Sequence, residues 1–218
     1  AQSVSVLEWN FGTTTYTNAT SIKHAAVSTG TVVLNANSGA SLTVTGIGTT
    51  SDRQMQVGSW NGTETTTLIS GRTSTTPVSA SKVLYTAFTV NSAAGGDWSA
   101  MNVQLGYQRT ASNDPTKVRA YLTWQEAGTW RTRYSAIATL SGTTMTTLNL
   151  PLNTGSAAPT ALAGNTFLLE LHFWGTSSSP NKVNVDNVKF QVNLADLSPG
   201  TAQKIGYGAV VVLGVVLL

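Results

Sequence analysis

Hydrophobic and polar residues alternate along most of the chain between residues 3 and 192. The clearest runs are SLTVTG (41–46), AMNVQLGYQR (100–109), KVRAYLTWQE (117–126) and TFLLELHFW (166–174). Successive side chains of a β-strand point to opposite faces of a sheet, so this period of two predicts strands of about six to ten residues with one buried face.

Segments rich in Gly, Asn, Asp, Ser and Pro separate these runs and predict turns. The short EAGT segment (126–129) predicts a hairpin between strands 117–125 and 130–139. Roughly ten to twelve strands and no helix before residue 200 predict an all-β fold, a jelly-roll-type antiparallel β-sandwich. We expect one domain over residues 1–195, followed by a linker and short hydrophobic C-terminal tail over 196–218.

The alternation changes phase within the last predicted strand, KVNVDNVKFQVNL (182–194). Val183 and Val185 occupy odd positions, whereas Val188 and Phe190 occupy even ones. A strand with one buried face changes parity where an extra residue is inserted, so the pattern predicts a β-bulge or kink at Asp186-Asn187. A strand buried on both faces is the alternative.

The amino-acid composition indicates where the protein acts and which partners it can bind. The chain has 35 Thr, 22 Ser and no Cys, and only 10% of its residues are charged. Many β-branched and few charged residues are typical of extracellular β-proteins. We therefore expect export through a cleaved signal peptide, because Ala1-Gln2-Ser3 reads like a mature N-terminus. The net charge of +3 is not clustered, which argues against a nucleic-acid partner.

The segments LEWNFG (7–12) and VNVDNVKF (183–190), with an apolar C-terminus behind them, resemble a family of exported bacterial proteins. Members of this family carry a jelly-roll or lectin-like β-sandwich and a C-terminal sorting tail of the PEP-CTERM kind. The resemblance implies the same fold and a tail that holds the domain at the cell surface. LSPG (197–200) stands where the family's tail usually has Pro-Glu-Pro.

The tail itself, KIGYGAVVVLGVVLL (204–218), is apolar and Val-rich. As a helix, the 14 residues from Ile205 to Leu218 would reach about 21 Å, short of the roughly 30 Å hydrocarbon core of a bilayer. We expect insertion into one leaflet, a longer anchor, or packing against copies of the same protein. The residues that would anchor or assemble are Ile205, Tyr207, Val210, Val211, Val212, Leu213, Val215, Val216, Leu217 and Leu218.

Catalytic motifs do not appear in the sequence, and we expect no enzyme. The two histidines, His24 and His172, have no metal-binding spacing, and LELHFW supplies only Glu170 where a glycosidase needs two convergent carboxylates. A cofactor is therefore not expected. Structural Ca²⁺ is the exception, with Glu8 and Asp186 as candidate oxygen ligands on the first and last strands.

Glycan binding has candidate residues on the predicted 117–139 hairpin. Sugar rings lie flat against aromatic side chains, and neighbouring polar groups bind their hydroxyls. The candidates are Arg119, Tyr121, Trp130, Arg131 and Arg133.

Two functions remain open at this point. The first hypothesis is a non-enzymatic structural protein of the cell surface that self-assembles or anchors through its tail, as a filament, sheath, layer or coat; its partners would be copies of itself and the membrane or envelope. The alternative is a surface-held carbohydrate-binding module, whose partners would be glycans.

Overall fold

The computed structural model describes residues 2–37, 39, 41–49, 51–65, 72–91, 98–176 and 181–194. Those residues contain thirteen β-strands and no α-helix. The strands are β1 Gln2–Trp9, β2 Ile22–Lys23, β3 Asn35–Ala36, β4 Thr43–Thr49, β5 Asp52–Gly58, β6 Leu84–Thr89, β7 Met101–Gln108, β8 Lys117–Glu126, β9 Thr129–Ser135, β10 Ala138–Thr139, β11 Thr146–Gly155, β12 Thr166–Trp174 and β13 Lys182–Leu194.

All strand pairs are antiparallel and form two sheets. The first sheet has the order β2-β1-β13-β7-β11, and β5 with its neighbour β4 pairs with the start of β13. The second sheet has the order β11-β9-β8-β12-β6-β3, with β10 beside β8. Strand β11 belongs to both, because its residues up to Pro151 pair with β7 and those from Leu152 onward pair with β9. The predicted jelly-roll-type β-sandwich is confirmed.

The core lies between the two sheets and is rich in aromatic residues. Five buried rings contact one another with centroid separations of 5.1 to 6.3 Å. They are Phe88, Trp98, Trp124, Phe167 and Phe190. Each such ring pair contributes about 0.5–1.5 kcal/mol beyond the area it buries. This cluster fixes the distance between the sheets without any disulfide.

The predicted bulge in the last strand is present. The pairing of β13 with β7 shifts between Asp186 and Lys189, and Asn187 has a positive φ of 54°. Asn tolerates this left-handed conformation better than most residues, and the inserted residue restores Val188 to the core. Gly106 lies opposite, where a Cβ atom would collide with the carbonyl oxygen of Asp186.

The predicted 117–139 hairpin is present, but its second strand ends at Ser135, and Ala138–Thr139 pairs with β8 as the separate strand β10. Strands β8 and β9 pair from Tyr121–Tyr134 to Glu126–Thr129. The two residues of the turn, Ala127 and Gly128, both have positive φ, as a tight hairpin turn requires.

The tail predicted to anchor or assemble, residues 205–218, lies outside the described residues. Within the described part of the chain, no helix has the length and apolar character needed to span a bilayer.

Candidate functional site

The outer face of the second sheet, the side turned away from the core, is covered by the chain itself. Tyr121 of β8 and Glu170 and His172 of β12 point outward there, yet none of the three is measurably exposed to solvent. Residues 59–65 and 72–83, which together we call the covering segment, contact this face. We call it the covered face, defined by Arg119, Tyr121, Glu170, His172 and Trp174.

Glu64 connects the covering segment to β8. Its Oε1 accepts hydrogen bonds from Arg119 Nη1 at 2.7 Å and from the Tyr121 hydroxyl at 3.1 Å. The Arg119 guanidinium also lies 5.1 Å from the centre of the Tyr134 ring. Burial, and secondarily the Glu64 carboxylate, raises the pKa of Tyr121, so this hydroxyl remains protonated and acts as a donor.

Arg72 makes the second connection, to β12. Its Nη2 donates to Glu170 Oε1 at 2.5 Å, and both side chains are almost fully buried. Burial raises the pKa of Glu170 to about 7, although the Arg72 charge opposes this shift. Glu170 Oε2 and Arg72 Nη1 have no hydrogen-bond partner among the described residues, so the pair is only partly satisfied.

His172 makes the third connection. Its Nδ1 lies 2.7 Å from the Lys82 carbonyl oxygen, and its Nε2 accepts from the Thr65 amide at 3.0 Å. These partners require a proton on Nδ1 and none on Nε2. Burial lowers the pKa of His172, which favours this neutral form. The ring also stacks on Trp174, with centroids 5.1 Å apart.

The five residues predicted to bind glycans do not form one open surface. Arg119 and Tyr121 belong to the covered face, and Trp130 is half-buried near the hairpin turn. Arg131 is exposed opposite the buried Trp124. Arg133 donates to the carbonyl oxygens of Leu152 and Ser156. A glycan site at these residues stays a prediction.

The two predicted calcium ligands lie near the bulge. Glu8 Oε1 is 3.6 Å from Lys189 Nζ, its cross-strand neighbour. Burial, and then the nearby Asp52 carboxylate, raises the pKa of Asp186 to about 6, while the Asn187 amide opposes the shift. The described residues contain no group of three or more His, Cys, Asp or Glu side chains that could hold a metal ion. Calcium at Glu8 and Asp186 therefore stays a prediction.

The outer face of the first sheet has a different chemistry. Asn102 Nδ2 donates to Asn149 Oδ1 at 3.1 Å and to Gln191 Oε1 at 2.9 Å, which joins β11, β7 and β13. Gln104 Nε2 also reaches Asn149 Oδ1, at 3.4 Å. We call these residues, together with Asn193, the amide surface. Its side chains are exposed or half-buried, unlike those of the covered face.

A second amide network lies further along the same sheet. Gln56 donates to Asn184, Asn184 donates to Gln108, and Gln108 donates to the Thr143 carbonyl oxygen. This network uses β5, β13 and β7 beyond the bulge. It resembles the amide surface in composition and therefore provides a matched control for it.

A depression of about 250 Å³ opens on the amide surface. It lies where Pro151 marks the passage of β11 from one sheet to the other. Its lining combines amides, a hydroxyl and apolar groups, namely Ser3, Ala100, Met101, Asn102, Asn149, Pro151, Gln191 and Asn193. None of these side chains carries a charge, so the surface can offer neutral hydrogen bonds and apolar contact but no acid–base chemistry.

Part of this surface could be read in the sequence. The alternation in AMNVQLGYQR separates Asn102, Gln104 and Gln108 from the apolar face of the strand. The contributions of Asn149 and Gln191 depend on strand register, since they come from residues 47 and 89 positions away from Asn102. A polar half-strand alone does not distinguish a binding surface from an ordinary solvated one.

Neither a protein-family model nor a curated protein matches the chain. Solved structures do match it. One is the CBM22-2 xylan-binding domain of a Paenibacillus barcinonensis protein, at 12% identity and a TM-score of 0.42, covering 73% of this chain and 91% of that one. A second is the family 11 carbohydrate-binding module of a Clostridium thermocellum cellulosomal cellulase, at 12% identity and 0.41, covering 75% and 88%.

A third match is a carbohydrate-binding module specific for non-crystalline cellulose, at 10% identity and a TM-score of 0.46, covering 74% of this chain and 88% of that one. At such identities the likeness concerns the fold. The expectation of a self-assembling structural protein is corrected here, because these matches are carbohydrate-binding modules. The tail on which that expectation depended lies outside the described residues.

Proposed function

We propose that the protein is a carbohydrate-binding module and that its binding surface is the amide surface of the first sheet. The observation that carries the proposal is the depression of about 250 Å³, lined by amide and hydroxyl groups together with exposed apolar atoms of Pro151. Sugar rings combine C–H faces with hydroxyl groups, so they suit a surface that offers both kinds of contact.

The hydrogen bonds within the amide surface support this role. Asn102 uses its Nδ2 for Asn149 and Gln191, so the orientation of three amide groups is set before a ligand arrives. A surface that is already ordered loses less side-chain entropy on binding, which improves affinity for a given set of contacts. Each hydrogen bond to a neutral hydroxyl contributes about 0.5–1.5 kcal/mol.

The outer face of the second sheet also supports placing the binding surface on the first sheet. The second sheet's outer face is occupied by residues 59–65 and 72–83, which leaves Tyr121 and His172 without exposed area. Glu170 of β12 and Glu64, which lies above β8, are each bonded to an arginine. That arrangement favours a structural role for the covered face and a binding function without catalysis for the domain.

We further propose that the module acts outside the cell, where it would meet polysaccharides. We also propose that its apolar tail holds it at the cell surface. The abundance of Thr and Ser and the low charge support this location. Deletion of residues 196–218 should then release the protein from membranes and leave glycan affinity unchanged. A loss of glycan affinity in the truncated protein would show that the tail contributes to the binding site.

A glycan array with the intact protein tests the proposed function. We expect binding to a subset of glycans and its loss in the double variant Asn102→Ala, Gln191→Ala. The matched control is Gln56→Ala, which removes an amide from the second network on the same sheet. Binding that survives the double variant would move the site elsewhere, and an array without signal would overturn the function.

A further inference from the structure

Among the described residues, the amide surface offers a ligand no charged group. None of the eight residues that line the depression is ionisable. Glu8 and Lys189, two charged residues of the same sheet, pair with each other across β1 and β13. Anionic glycans are normally bound by arginine or lysine groups that match their carboxylates or sulfates. The described part of this surface therefore supplies none of the groups that an anionic chain requires.

The internal hydrogen bonds leave a defined set of atoms for a ligand. No hydrogen bond of the described residues uses Asn102 Oδ1, Asn149 Nδ2 or Gln191 Nε2. An acceptor on β7 thus lies between donors on β11 and β13. A sugar hydroxyl both donates and accepts, so successive hydroxyls of a neutral chain can satisfy this alternation.

Strand register arranges these groups in rows perpendicular to the strands. Pro151, Asn102, Gln191 and Ser5 are successive cross-strand neighbours on β11, β7, β13 and β1. A second row contains Ala100, Asn193 and Ser3, because Asn193 pairs with Ser3 and its amide donates to the Ala100 carbonyl oxygen. Six of these seven residues line the depression, which therefore extends across the strands between the two rows.

The distance between neighbouring strands indicates which ligand shape fits the depression. Neighbouring strands lie about 4.8 Å apart, which is close to the length of one sugar ring along an extended chain. Four strands side by side accommodate about three to four rings. Pro151 and Ala100 at one end supply an apolar surface for the C–H face of a ring. A chain laid along the rows meets a new polar group with each sugar.

Given the proposed function, we infer that the ligand is an uncharged glycan chain in an extended conformation, which crosses β11, β7, β13 and β1 within the depression. Recognition depends on neutral amide and hydroxyl contacts and on the number of consecutive sugars. It does not depend on ionic attraction, in spite of the net charge of +3 of the whole chain.

Isothermal titration with two oligosaccharide series tests this inference. Neutral β-1,4-linked xylose and glucose oligomers, from two to six sugars, are compared with galacturonic acid oligomers of the same lengths. We expect the neutral series to bind, with affinity that rises to about four sugars and then levels off. Addition of about 0.5 M NaCl, which screens exposed charges, should leave that affinity unchanged.

The variants locate the site. Asn102→Ala and Gln191→Ala should each weaken the neutral tetramer about tenfold, as expected for the loss of about two hydrogen bonds. Gln56→Ala should bind like the unaltered protein, and circular dichroism confirms that each variant is folded.

The possible failures are distinguishable. Tighter binding of the galacturonic acid series, with affinity that falls in salt, would overturn the inference that the ligand is uncharged. The proposed carbohydrate-binding function would still hold in that case. Equal affinity for the neutral dimer and hexamer would overturn the extended chain. If neither series binds and the glycan array is also silent, the proposed function itself fails.

Discussion

Arg72 and Glu170, 98 positions apart in sequence, form an ion pair of 2.5 Å that is almost completely shielded from solvent on the outer face of the second sheet. Removal of two charges from water is costly, and their attraction repays the cost only when all their polar atoms are satisfied. Here one atom of each group has no partner among the described residues. The pair therefore specifies where the covering segment docks and adds little net stability.

This view predicts an asymmetry between single and double substitutions. Arg72→Met leaves a buried carboxyl group without its partner and should lower the free energy of unfolding by about 3–5 kcal/mol at neutral pH. The double variant Arg72→Met, Glu170→Met should recover most of that loss. Urea denaturation of the three proteins measures both quantities, and a double variant that is no more stable than Arg72→Met would contradict the explanation.

The raised pKa of Glu170 predicts a pH dependence of stability. Between the ordinary value of 4.5 and the folded value of about 7, the folded protein retains a proton on Glu170 that the unfolded chain has released. The contribution of Glu170 to stability is therefore fully present below pH 4.5 and is lost as pH rises through about 7.

Glu170→Gln should remove this component. The stability of the unaltered protein, measured relative to the variant, should fall by roughly 1–3 kcal/mol as pH rises through that interval. The comparison cancels the contributions of His172 and Asp186, whose shifted pKa values affect both proteins. A difference that does not vary between pH 4.5 and 7 would show that Glu170 is charged throughout that range.

The left-handed residue in the β13 bulge gives a prediction about the backbone. Asn187 has a φ of 54°, so Asn187→Val should cost about 1–2 kcal/mol of stability because a β-branched residue disfavours this conformation. Asn187→Gly should be neutral or slightly stabilising at the same position. Thermal unfolding distinguishes the two variants, and equal melting temperatures would contradict the assigned bulge.

The aromatic residues of the 117–139 hairpin provide a contrast with the amide surface. Tyr121→Phe removes a hydroxyl that donates to Glu64, so it should lower stability by about 0.5–1.5 kcal/mol. It should not alter glycan affinity. Trp130→Ala should likewise leave affinity unchanged. If Trp130→Ala abolishes binding while Asn102→Ala does not, the glycan site belongs to the hairpin, as the sequence pattern suggested.

The strands and the bulge could be predicted because they depend on local signals. Alternation located β7, β8, β12 and β13, and the change of parity between Val185 and Val188 located the extra residue. The burial of Tyr121 could not be predicted, since alternation shows that a residue leaves the core face but not what lies above it. Here Glu64, 57 positions away, lies above it.

Contacts between residues distant in sequence also explain why the proposed binding surface differs from the one that the sequence predicted. An exposed aromatic with adjacent arginines is a familiar glycan-binding pattern, and the hairpin carries one in its sequence. In the folded chain Arg133 instead bonds to backbone carbonyl groups of β11 and the residue that follows it. The amide surface forms from three strands whose alignment follows from the bulge and from the passage of β11 between sheets, and neither can be derived from composition.

Nuclear magnetic resonance tests the central claim most directly. A ¹⁵N-labelled sample is titrated with the neutral oligosaccharide that binds most tightly, and the side-chain NH₂ signals and tryptophan indole signals are followed together. We predict that the signals of Asn102, Asn149, Gln191 and Asn193 shift while those of Gln56 and Trp130 stay in place. Shifts at Trp130 and at the backbone of Arg131, with the amide surface unchanged, would contradict the account.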